Sequence, residues 1–438
     1  MNEYDTQVAS GLLEHEGFQL ASDEKEADVV LMNTCSVREH AEERVYGRLG
    51  LLGKVKRTNP DLIVGLMGCM VEEHREKLFK RFPQLDLMVG TRNIKELPSL
   101  IEEVRKSRRQ VAQIKQNGIS IEYTDLIKRS SKYYAWLPVM TGCDKVCTYC
   151  IVPMTRGAEV SMPAREVYRE ASRLVSEGVK WITLLGQNVN SYNGEGANFP
   201  ELLEMLCEIE GLERICFTTS HPHDATEELF QVIAQNPKIS RRFHLPLQSG
   251  SDRILKRMKR LHTYQEYKAK IDRMRELISD ISVTTDIITG FSGETEEDHQ
   301  ATCAALEEIA YDSAFIYKYS TRPGTPAAKL ADDVPMNVKE SRHHDLLELQ
   351  RKVTERNNQP WLGREITVFA EAVSTKKGTG NTSLPDRQAG CLSPFLIGRT
   401  DQDKKVVFPG EGNIVGQFVK TKLTNLRHET FLGELVNA

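Results

Sequence analysis

The feature that most constrains the fold is a unit that recurs between residues 132 and 360. Each unit has a short apolar run, a polar loop and, in most cases, a helical segment of roughly 10–20 residues. Six such units predict parallel strands curled into a closed or partial barrel, with the chemistry at the carboxyl ends of the strands. The candidate strands are residues 135–141, 181–185, 214–218, 243–247, 283–288 and 314–319.

Polar residues follow these strands at the end where such a barrel has its mouth. Gln187 and Asn188 follow the second strand, Ser220 the third, and Gln248 and Ser249 the fourth. One polar loop is ordinary turn chemistry, but several in register indicate a shared binding site. We therefore expect these side chains to line one ligand site.

Three cysteines follow the first strand of the predicted barrel in the spacing C-x3-C-x2-C: Cys143, Cys147 and Cys150. A tight loop with three thiolates can hold three irons of a 4Fe–4S cluster, which leaves the fourth iron open to a small molecule. The alternative is a structural zinc site. Zinc usually takes four protein ligands, and no fourth Cys or His lies close by in the sequence, so the spacing favours a catalytic cluster.

Residues 6–100 alternate between helical and strand patterns and predict a small parallel α/β domain. Cys35 ends the first of its strands and Cys69 ends the second. The carboxyl ends of parallel strands meet at one edge of a sheet, so the two thiols can converge on one metal site. The alternative, which the spacing leaves open, is a pair of buried structural cysteines.

After Pro360 the sequence changes to short strands separated by Gly, Asn, Asp and Pro turns, which predicts a small antiparallel β-barrel. Its candidate strands are residues 366–373, 395–399, 405–408 and 414–423. A face near Phe418 could bind RNA, although a purely stabilising domain is the alternative. The basic residues of that face would be Lys376, Lys377, Lys420, Lys422 and Arg427.

These patterns predict three domains joined by one linker. The predicted boundaries are 1–105 for the first domain, 106–131 for a linker with basic patches, 132–360 for the barrel domain and 361–438 for the C-terminal domain.

Composition limits the class of protein. Charged residues make up 27% and hydrophobic residues 39% of 438, which is typical of a globular protein in water. There is no apolar run of about 18 residues and no signal-peptide pattern, so we expect a cytoplasmic protein without a membrane partner. The nine scattered cysteines favour metal ligation over disulfides. A net charge of −4 means that any nucleic-acid surface is local.

The C-x3-C-x2-C loop resembles the radical S-adenosylmethionine (SAM) enzymes, and the whole chain resembles the methylthiotransferases. Members of that family have an N-terminal cluster domain, a partial (β/α)6 radical-SAM barrel and a C-terminal TRAM β-barrel. Residues 33–38 (NTCSVR) and 186–192 (GQNVNSY) are similar to the tRNA-modifying, MiaB-type branch. The branches that act on a ribosomal protein or on another modified adenosine usually differ in both stretches.

The resemblance implies a reaction and its cofactors. A methylthio group would be attached to carbon 2 of N6-isopentenyl-adenosine next to the tRNA anticodon; methylthiolation of a ribosomal protein or of a different modified tRNA adenosine is the alternative. Two 4Fe–4S clusters and SAM, as radical source and methyl donor, would be needed. The implied partners are the tRNA anticodon stem-loop and a reductant such as flavodoxin or ferredoxin, with the sulfur source left open.

The resemblance also implies roles for residues. The loop of Cys143, Cys147 and Cys150 would hold the SAM-cleaving cluster, and Cys35 and Cys69 would hold the auxiliary cluster. The SAM contacts would come from the polar residues at the strand ends, namely Gln187, Asn188, Ser220, Gln248 and Ser249.

Three departures from the family pattern bear on these roles. The family's first cluster cysteine comes two residues before a Met-Asn pair, whereas Met1 and Asn2 open this chain; we expect the natural protein to supply that cysteine upstream. Met162 stands where relatives commonly have arginine, and Met154 where an aromatic residue is common. Both follow the cysteine loop, so we expect altered substrate contacts there.

Overall fold

The computed structural model describes residues 1–36, 39–114, 123–374 and 394–436. Its first domain is the predicted parallel α/β unit, a four-stranded sheet in the order β1-β2-β3-β4 with every pair parallel. All six residues of β2 are buried because helices cover both faces of the sheet. The elements are α1 (Asn2–His15), β1 (Val29–Thr34), α2 (Glu39–Thr58), β2 (Ile63–Gly68), α3 (Cys69–His74), α4 (Lys77–Arg81), β3 (Leu87–Val89), α5 (Leu97–Ser107) and β4 (Val111–Gln113).

The segment 106–131, predicted as a linker, contributes to this domain. It contains β4, which pairs with β3, and its later part packs on α1, where Lys128 N donates to Gln7 O over 3.1 Å. Part of the segment, residues 115–122, lies outside the described residues, as do Val37 and Arg38 of the NTCSVR stretch. The domain boundaries stay a prediction.

The second domain contains the six predicted strands, here β5, β8, β11, β12, β13 and β14, which lie side by side in that order. A parallel bridge between Ile215 and Ile239 joins the first three strands to the last three. The elements are β5 (Tyr134–Pro138), β6 (Met140–Thr141), α6 (Val152–Thr155), β7 (Val160–Ser161), α7 (Ala164–Ser176), β8 (Trp181–Leu185), β9 (Asn193–Gly194), β10 (Ala197–Asn198), α8 (Phe199–Cys207), β11 (Arg214–Phe217), α9 (Glu227–Gln235), β12 (Arg242–His244), α10 (Asp252–Arg257), α11 (Tyr264–Leu277), β13 (Ser282–Thr289), α12 (Glu296–Ile309), β14 (Ser313–Lys318) and α13 (Met336–Asn358).

Local sequence signals explain where these helices begin. Asn198, Thr263 and Thr295 each accept a hydrogen bond from a backbone N–H in the first turn, and an acidic side chain three residues later bonds back to the cap. Such capping boxes satisfy N–H groups that a helix start would otherwise leave unpaired. The helices pack their apolar faces on the strands around one large core, and the structure is a partial barrel in which β5 and β14 are the edge strands.

The C-terminal domain is a closed five-stranded barrel in the order β15-β16-β17-β19-β18. Its strands are β15 (Glu365–Val373), β16 (Phe395–Thr400), β17 (Lys405–Pro409), β18 (Phe418–Arg427) and β19 (Thr430–Leu435). The pairs are antiparallel, as predicted, except β17 with β19, which is parallel. The predicted fourth strand begins later than expected, because residues 412–414 form a short 3₁₀ helix, and β19 was not predicted.

This barrel docks at the amino-terminal ends of the core strands. Arg214, the first residue of β11, donates to Thr400 O over 3.2 Å, and Lys404 contacts Asp312, next to the start of β14, over 2.8 Å. Phe418, predicted to support an RNA face, instead packs on Phe369 at this interface. The C-terminal barrel and the predicted mouth therefore lie at opposite ends of the core domain.

In the part of the chain that the structure describes, no helix is both long enough and apolar enough to cross a membrane.

Candidate active site

The cysteine loop leaves the core domain at the carboxyl end of β5. Gly142 opens it with φ = +78°, and a Cβ at this position would come within 1.9 Å of Ala158 O, so only glycine fits. Backbone hydrogen bonds then fold the loop on itself: Cys143 N donates to Gly157 O over 3.2 Å, and Cys150 N to Cys147 O over 3.1 Å. The three thiols are held on one short, locally closed segment.

The spacing of the three sulfurs separates two kinds of metal site. Among the described residues, the only group of three possible ligands with all ligand atoms within 4.8 Å of one another is Glu42, Glu73 and His74. At least one pair of the loop sulfurs is therefore more than 4.8 Å apart. A tetrahedral zinc ion with Zn–S bonds of about 2.3 Å holds its sulfurs about 3.8 Å apart. The wider spacing fits cysteines that bind separate irons of one cluster.

Two of these thiols need a metal to become thiolates, because burial raises their pKa. Burial raises the pKa of Cys143 to about 11 and that of Cys150 to about 12, with the neighbouring cysteines contributing in the same direction. Neutral thiols are poor metal ligands, so binding of a cluster would be coupled to release of protons from this loop. The donor set and its burial fit an iron–sulfur cluster.

The turn after α10 holds the loop from the opposite side. Thr148 N donates to Met258 O and the Thr148 hydroxyl to Arg257 O, both over 3.0 Å. Arg260 is 8% exposed, and its Nη1 lies 3.4 Å from Cys147 Sγ. Burial opposes the charge of Arg260, but Tyr149 and Cys147 together raise its pKa, so it remains a cation beside the loop.

Of the five predicted SAM contacts, three take part in holding the loops of the mouth. Gln187 Oε1 accepts a hydrogen bond from Gly142 N over 2.6 Å and so fixes the start of the cysteine loop. Ser249 Oγ accepts from Ser251 N over 3.2 Å and faces Thr302 of α12. Gln248 is buried with φ = +78° and pairs through its backbone with β13. Through these contacts the three residues shape the mouth.

The other two predicted contacts carry polar atoms without a partner. Asn188 Nδ2 donates to Asp224 over 2.7 Å, but Asn188 Oδ1 and Ser220 Oγ are buried and have no hydrogen-bond partner among the described residues. The same holds for His221 Nε2 and for both ring nitrogens of His262, whose ring centroid lies 6.1 Å from that of His221. Unpaired buried polar atoms are uncommon, and SAM has amino, carboxylate and hydroxyl groups that would pair with them.

The two buried imidazoles are neutral. Burial lowers the pKa of His221 to about 2 and that of His262 to about 3, and the Arg260 cation adds to both shifts. On the other side of the mouth, Lys145 Nζ lies 2.8 Å from Asp224 Oδ1 and ties the cysteine loop to the segment after β11. The mouth therefore contains fixed charges at its rim and neutral imidazoles inside.

Cys35 and Cys69 lie side by side because β1 and β2 are parallel and in register, with Thr34 opposite Gly68. Cys69 is buried, and burial raises its thiol pKa. The α-amino group of Met1 lies close to both cysteines and to Asp5, and its burial lowers its pKa. The structure thus brings the two predicted ligands together, as the strand pattern indicated.

Arg156 connects this pair to the cysteine loop. It is 3% exposed, follows Cys150 by six residues, and donates to Asp5 Oδ2 over 2.6 Å. Burial opposes its charge, but Asp5 and Cys69 together raise its pKa above the ordinary value. A buried cation from the core domain thus contacts the cysteine pair of the first domain.

The two methionines that depart from the family pattern have different surroundings. Met162 is 7% exposed and belongs to the apolar core, so its side chain offers no contact to a substrate. Met154 is 53% exposed and covers Gly324, whose added Cβ would lie 2.3 Å from Met154 Cε. Only Met154 is placed to affect what enters the mouth.

Comparison with protein families agrees with both halves of this arrangement. Residues 137–306 match the radical SAM superfamily, and residues 1–90 match a family described as uncharacterized protein family UPF0004. The chain is 42% identical to tRNA-2-methylthio-N(6)-dimethylallyladenosine synthase of Dictyoglomus thermophilum. The match covers the full length of this chain and 96% of the length of that relative. Identity to the enzyme of the same name from Carboxydothermus hydrogenoformans is 41%, over 97% of this chain and 94% of that one.

The chain belongs to this family of radical SAM tRNA methylthiotransferases. Among solved structures, the radical SAM methyltransferase TsrM from Kitasatospora setae, with cobalamin and a [4Fe-4S] cluster bound, matches with a TM-score of 0.55. That match covers 74% of this chain and 73% of the other at 16% identity, and it supports the fold. The predicted fold class and family are confirmed.

Sequence reasoning missed the residues that support the cysteines of this methylthiotransferase. Arg260 and Arg156 each lie against one predicted cluster cysteine, and Lys145, Asp224 and His262 complete the mouth. No spacing motif marks them. Arg260 is the buried member of a basic run, residues 253–260, whose other arginines and lysines are exposed.

Proposed function

We propose that the protein attaches a methylthio group to carbon 2 of N6-isopentenyl-adenosine next to the tRNA anticodon. The observation that carries the proposal is the presence of two cysteine sites joined by the short segment from Cys150 to Arg156. One site would generate a radical and the other would supply sulfur. We infer that Cys143, Cys147 and Cys150 hold one 4Fe–4S cluster and that Cys35 and Cys69 hold the other.

The chemistry requires two reactive groups because the target C–H bond is aromatic and no general base removes its proton at neutral pH. A cluster with SAM bound supplies one-electron cleavage of SAM and hence a radical able to take that hydrogen atom. The protein orients SAM and excludes water. Asn188 and Ser220, which carry unpaired buried oxygens, are the contacts we propose for SAM; Gln187, Gln248 and Ser249 would act by shaping the loops.

The test is an anaerobic reaction of reconstituted enzyme with SAM, dithionite and an anticodon stem-loop RNA that contains N6-isopentenyl-adenosine. We expect 5′-deoxyadenosine and an RNA that gains one methylthio group by mass. The matched control is the same RNA with unmodified adenosine, which we expect to stay unchanged. Modification of a ribosomal peptide instead of the RNA would show that the protein belongs to the branch that acts on a ribosomal protein. Absence of 5′-deoxyadenosine would overturn the radical mechanism.

We further propose that exposed lysines of β18 contribute to tRNA binding. Lys420 and Lys422 are exposed on alternate residues of the strand and so share one face; Lys376 and Lys377 lie outside the described residues. The double variant Lys420→Gln/Lys422→Gln should reduce the slope of log affinity against log salt by about 2, one for each lost phosphate contact. The exposed Lys352→Gln on α13 is the control. An unchanged slope of log affinity against log salt would show that these two lysines of β18 do not contact RNA phosphates.

The remaining proposals concern the setting of the reaction. We propose that a low-potential carrier such as flavodoxin or ferredoxin reduces the cluster in the cell, and that the enzyme acts on tRNA in the cytoplasm. The domains proposed are 1–105 for the auxiliary cluster, to whose sheet β4 of the segment 106–131 adds the fourth strand, 132–360 for SAM cleavage and 361–438 for the TRAM barrel.

A further inference from the structure

The turn that follows α10 brings one cation to the cysteine loop. Lys259 has φ = +53°, which reverses the chain after the helix, and Arg260 N then donates to Leu255 O over 2.9 Å. This six-to-one hydrogen bond is the Schellman arrangement that ends many helices. The chain reversal directs Arg260 inward, whereas Lys256 and Lys259 of the same turn are exposed.

The guanidinium of Arg260 has two partners, and both belong to the site. Nη2 donates to Pro246 O, just after β12, over 2.8 Å, and Nη1 lies 3.4 Å from Cys147 Sγ. Nε has no partner among the described residues. Among the described residues the cation makes no ion pair with a carboxylate, and the loop sulfur that it contacts becomes negative when a cluster binds.

We propose that Arg260 is a positioning residue that sets the reduction potential of the cluster held by Cys143, Cys147 and Cys150. This inference rests on the proposed function, in which Cys147 is a cluster ligand. Reduction adds one electron to the cluster, breaks no bond and makes the site more negative. A buried cation that donates a hydrogen bond to a ligand sulfur stabilises the reduced form more than the oxidised form. Arg260 therefore makes the cluster easier to reduce.

This role requires the guanidinium of arginine rather than the ammonium of lysine. Its planar fork holds Pro246 O with one nitrogen and points the other at Cys147 Sγ, so the charge stays at a fixed distance from the sulfur. Lysine would keep the charge but could not make both contacts in one fixed geometry. Glutamine would keep an N–H donor without the charge, and methionine would keep neither.

The experiment is an EPR-monitored redox titration of the full chain in a Cys35→Ala/Cys69→Ala background, so that one cluster is titrated. We expect Arg260→Met to lower the ratio of reduced to oxidised cluster at least tenfold at a fixed donor potential, which is about 59 mV for one electron. The reduction potentials of Arg260→Lys and Arg260→Gln should lie between those of Arg260→Met and the parent. Lys256→Gln removes an exposed charge from the same helix and should leave the potential unchanged.

A second readout concerns the hydrogen bond itself. Backbone N–H groups of Lys145 and Val152 also donate to Cys143 and Cys150. Electron–nuclear double resonance on the reduced cluster should therefore detect, besides these, one further proton that exchanges in D₂O in the parent and in Arg260→Lys and that is missing in Arg260→Met. If Arg260→Met fails to retain iron, the reduction potentials of Arg260→Lys and Arg260→Gln test the role of Arg260 instead. Equal potentials in the parent and in Arg260→Gln, with iron content intact, would overturn the role of Arg260.

One further variant distinguishes an error about Arg260 from an error about the cysteine loop as the cluster site. Cys147→Ala in the same background should abolish the cluster signal. A signal that persisted in that variant would show that the cysteine loop is not the cluster site. An unchanged potential in the Arg260 variants, with the signal still dependent on Cys147, would overturn only the inference about Arg260.

Discussion

The two cysteine sites are built in different ways. The loop of Cys143, Cys147 and Cys150 takes all its ligands from one eight-residue segment, closed by its own backbone hydrogen bonds. The pair of Cys35 and Cys69 depends on the register of two strands whose cysteines are 34 positions apart in the chain. The first site is local, and the second requires that the sheet has already formed.

Each site has a buried arginine beside one cysteine, but the two arginines come from different places. Arg260 belongs to the same domain as Cys147. Arg156 belongs to the core domain and contacts Asp5 and Cys69 of the first domain. The comparison indicates that the loop site should survive separation of the domains, whereas the pair should not.

The largest effect is expected from Cys147→Ala, which should abolish SAM cleavage and leave iron at the Cys35 and Cys69 pair. The reason is that the loop has only three ligands and the two sites share no cysteine. The measurements are 5′-deoxyadenosine formation and iron content, with Cys207→Ala on α8 as the control. Loss of nearly all iron from Cys147→Ala would show that the two sites do not bind iron independently.

Arg156→Met should have the next largest effect and should act on the pair alone. Removal of one partner from a buried ion pair leaves Asp5 uncompensated and typically costs about 3–5 kcal/mol. We expect a drop of about that size in the free energy of unfolding of the first domain and loss of iron from the pair. The double variant Asp5→Asn/Arg156→Gln, which removes both charges, should recover much of the stability. Iron loss from the loop instead would contradict the assignment.

A pH effect should come largely from the mouth, where His221 and His262 are buried and neutral. Among the described histidines, His299 of α12 is also buried, and burial lowers its pKa. His221 and His262 have folded pKa values of about 2 and about 3, below the ordinary 6.5. Between those values the unfolded chain binds more protons, so stability is complete above pH 6.5 and is lost as the pH falls. From pH 7 to pH 5.5 we expect a loss of about 1 kcal/mol for each histidine.

Urea unfolding followed by tryptophan fluorescence at the two pH values measures this loss. His262→Phe keeps a ring of similar shape and should remove the contribution of His262, about 1 kcal/mol between the two pH values. His15→Gln, at the exposed end of α1, should leave the pH dependence unchanged. If His262→Phe kept the full dependence, the histidines of the mouth would not be its source.

The smallest effects should come from a matched pair of threonines. Thr148 and Thr34 each lie next to a proposed cluster cysteine and donate a hydroxyl hydrogen bond to a backbone carbonyl, of Arg257 and Met67 respectively. Each Thr→Val change should cost about 1 kcal/mol. Thr148→Val should speed loss of iron from the loop only, and Thr34→Val from the pair only. Equal effects on both sites would show that the sites are more strongly coupled than their construction suggests.

Much of the fold was predictable because its elements carry local signals. All six core strands lie where apolar runs between polar loops predicted them. The hairpin of β18 and β19 was missed because its turn, at His428 and Glu429, has neither glycine nor the Asn-Gly pair that usually marks a tight turn; His428 adopts φ = +54° instead. A turn residue held by barrel closure has no signature in the sequence.

The ligands of the site were predictable for the same reason, and the residues that support them were not. Cysteine spacing is a local signal. The chain has 58 Lys and Arg, and what distinguishes Arg260 and Arg156 is burial against residues more than 80 positions away. Tertiary structure creates that environment, so a single sequence without its fold could not identify them.

The position of the C-terminal barrel has a consequence for the size of the RNA. Because the barrel docks where the core strands begin, the surface of its described residues lies away from the mouth, where the strands end. An RNA that touches both must run along the outside of the core domain from one end to the other. The enzyme would then gauge the length of its substrate, and a fragment too short to reach the barrel would be modified without any gain in affinity from it.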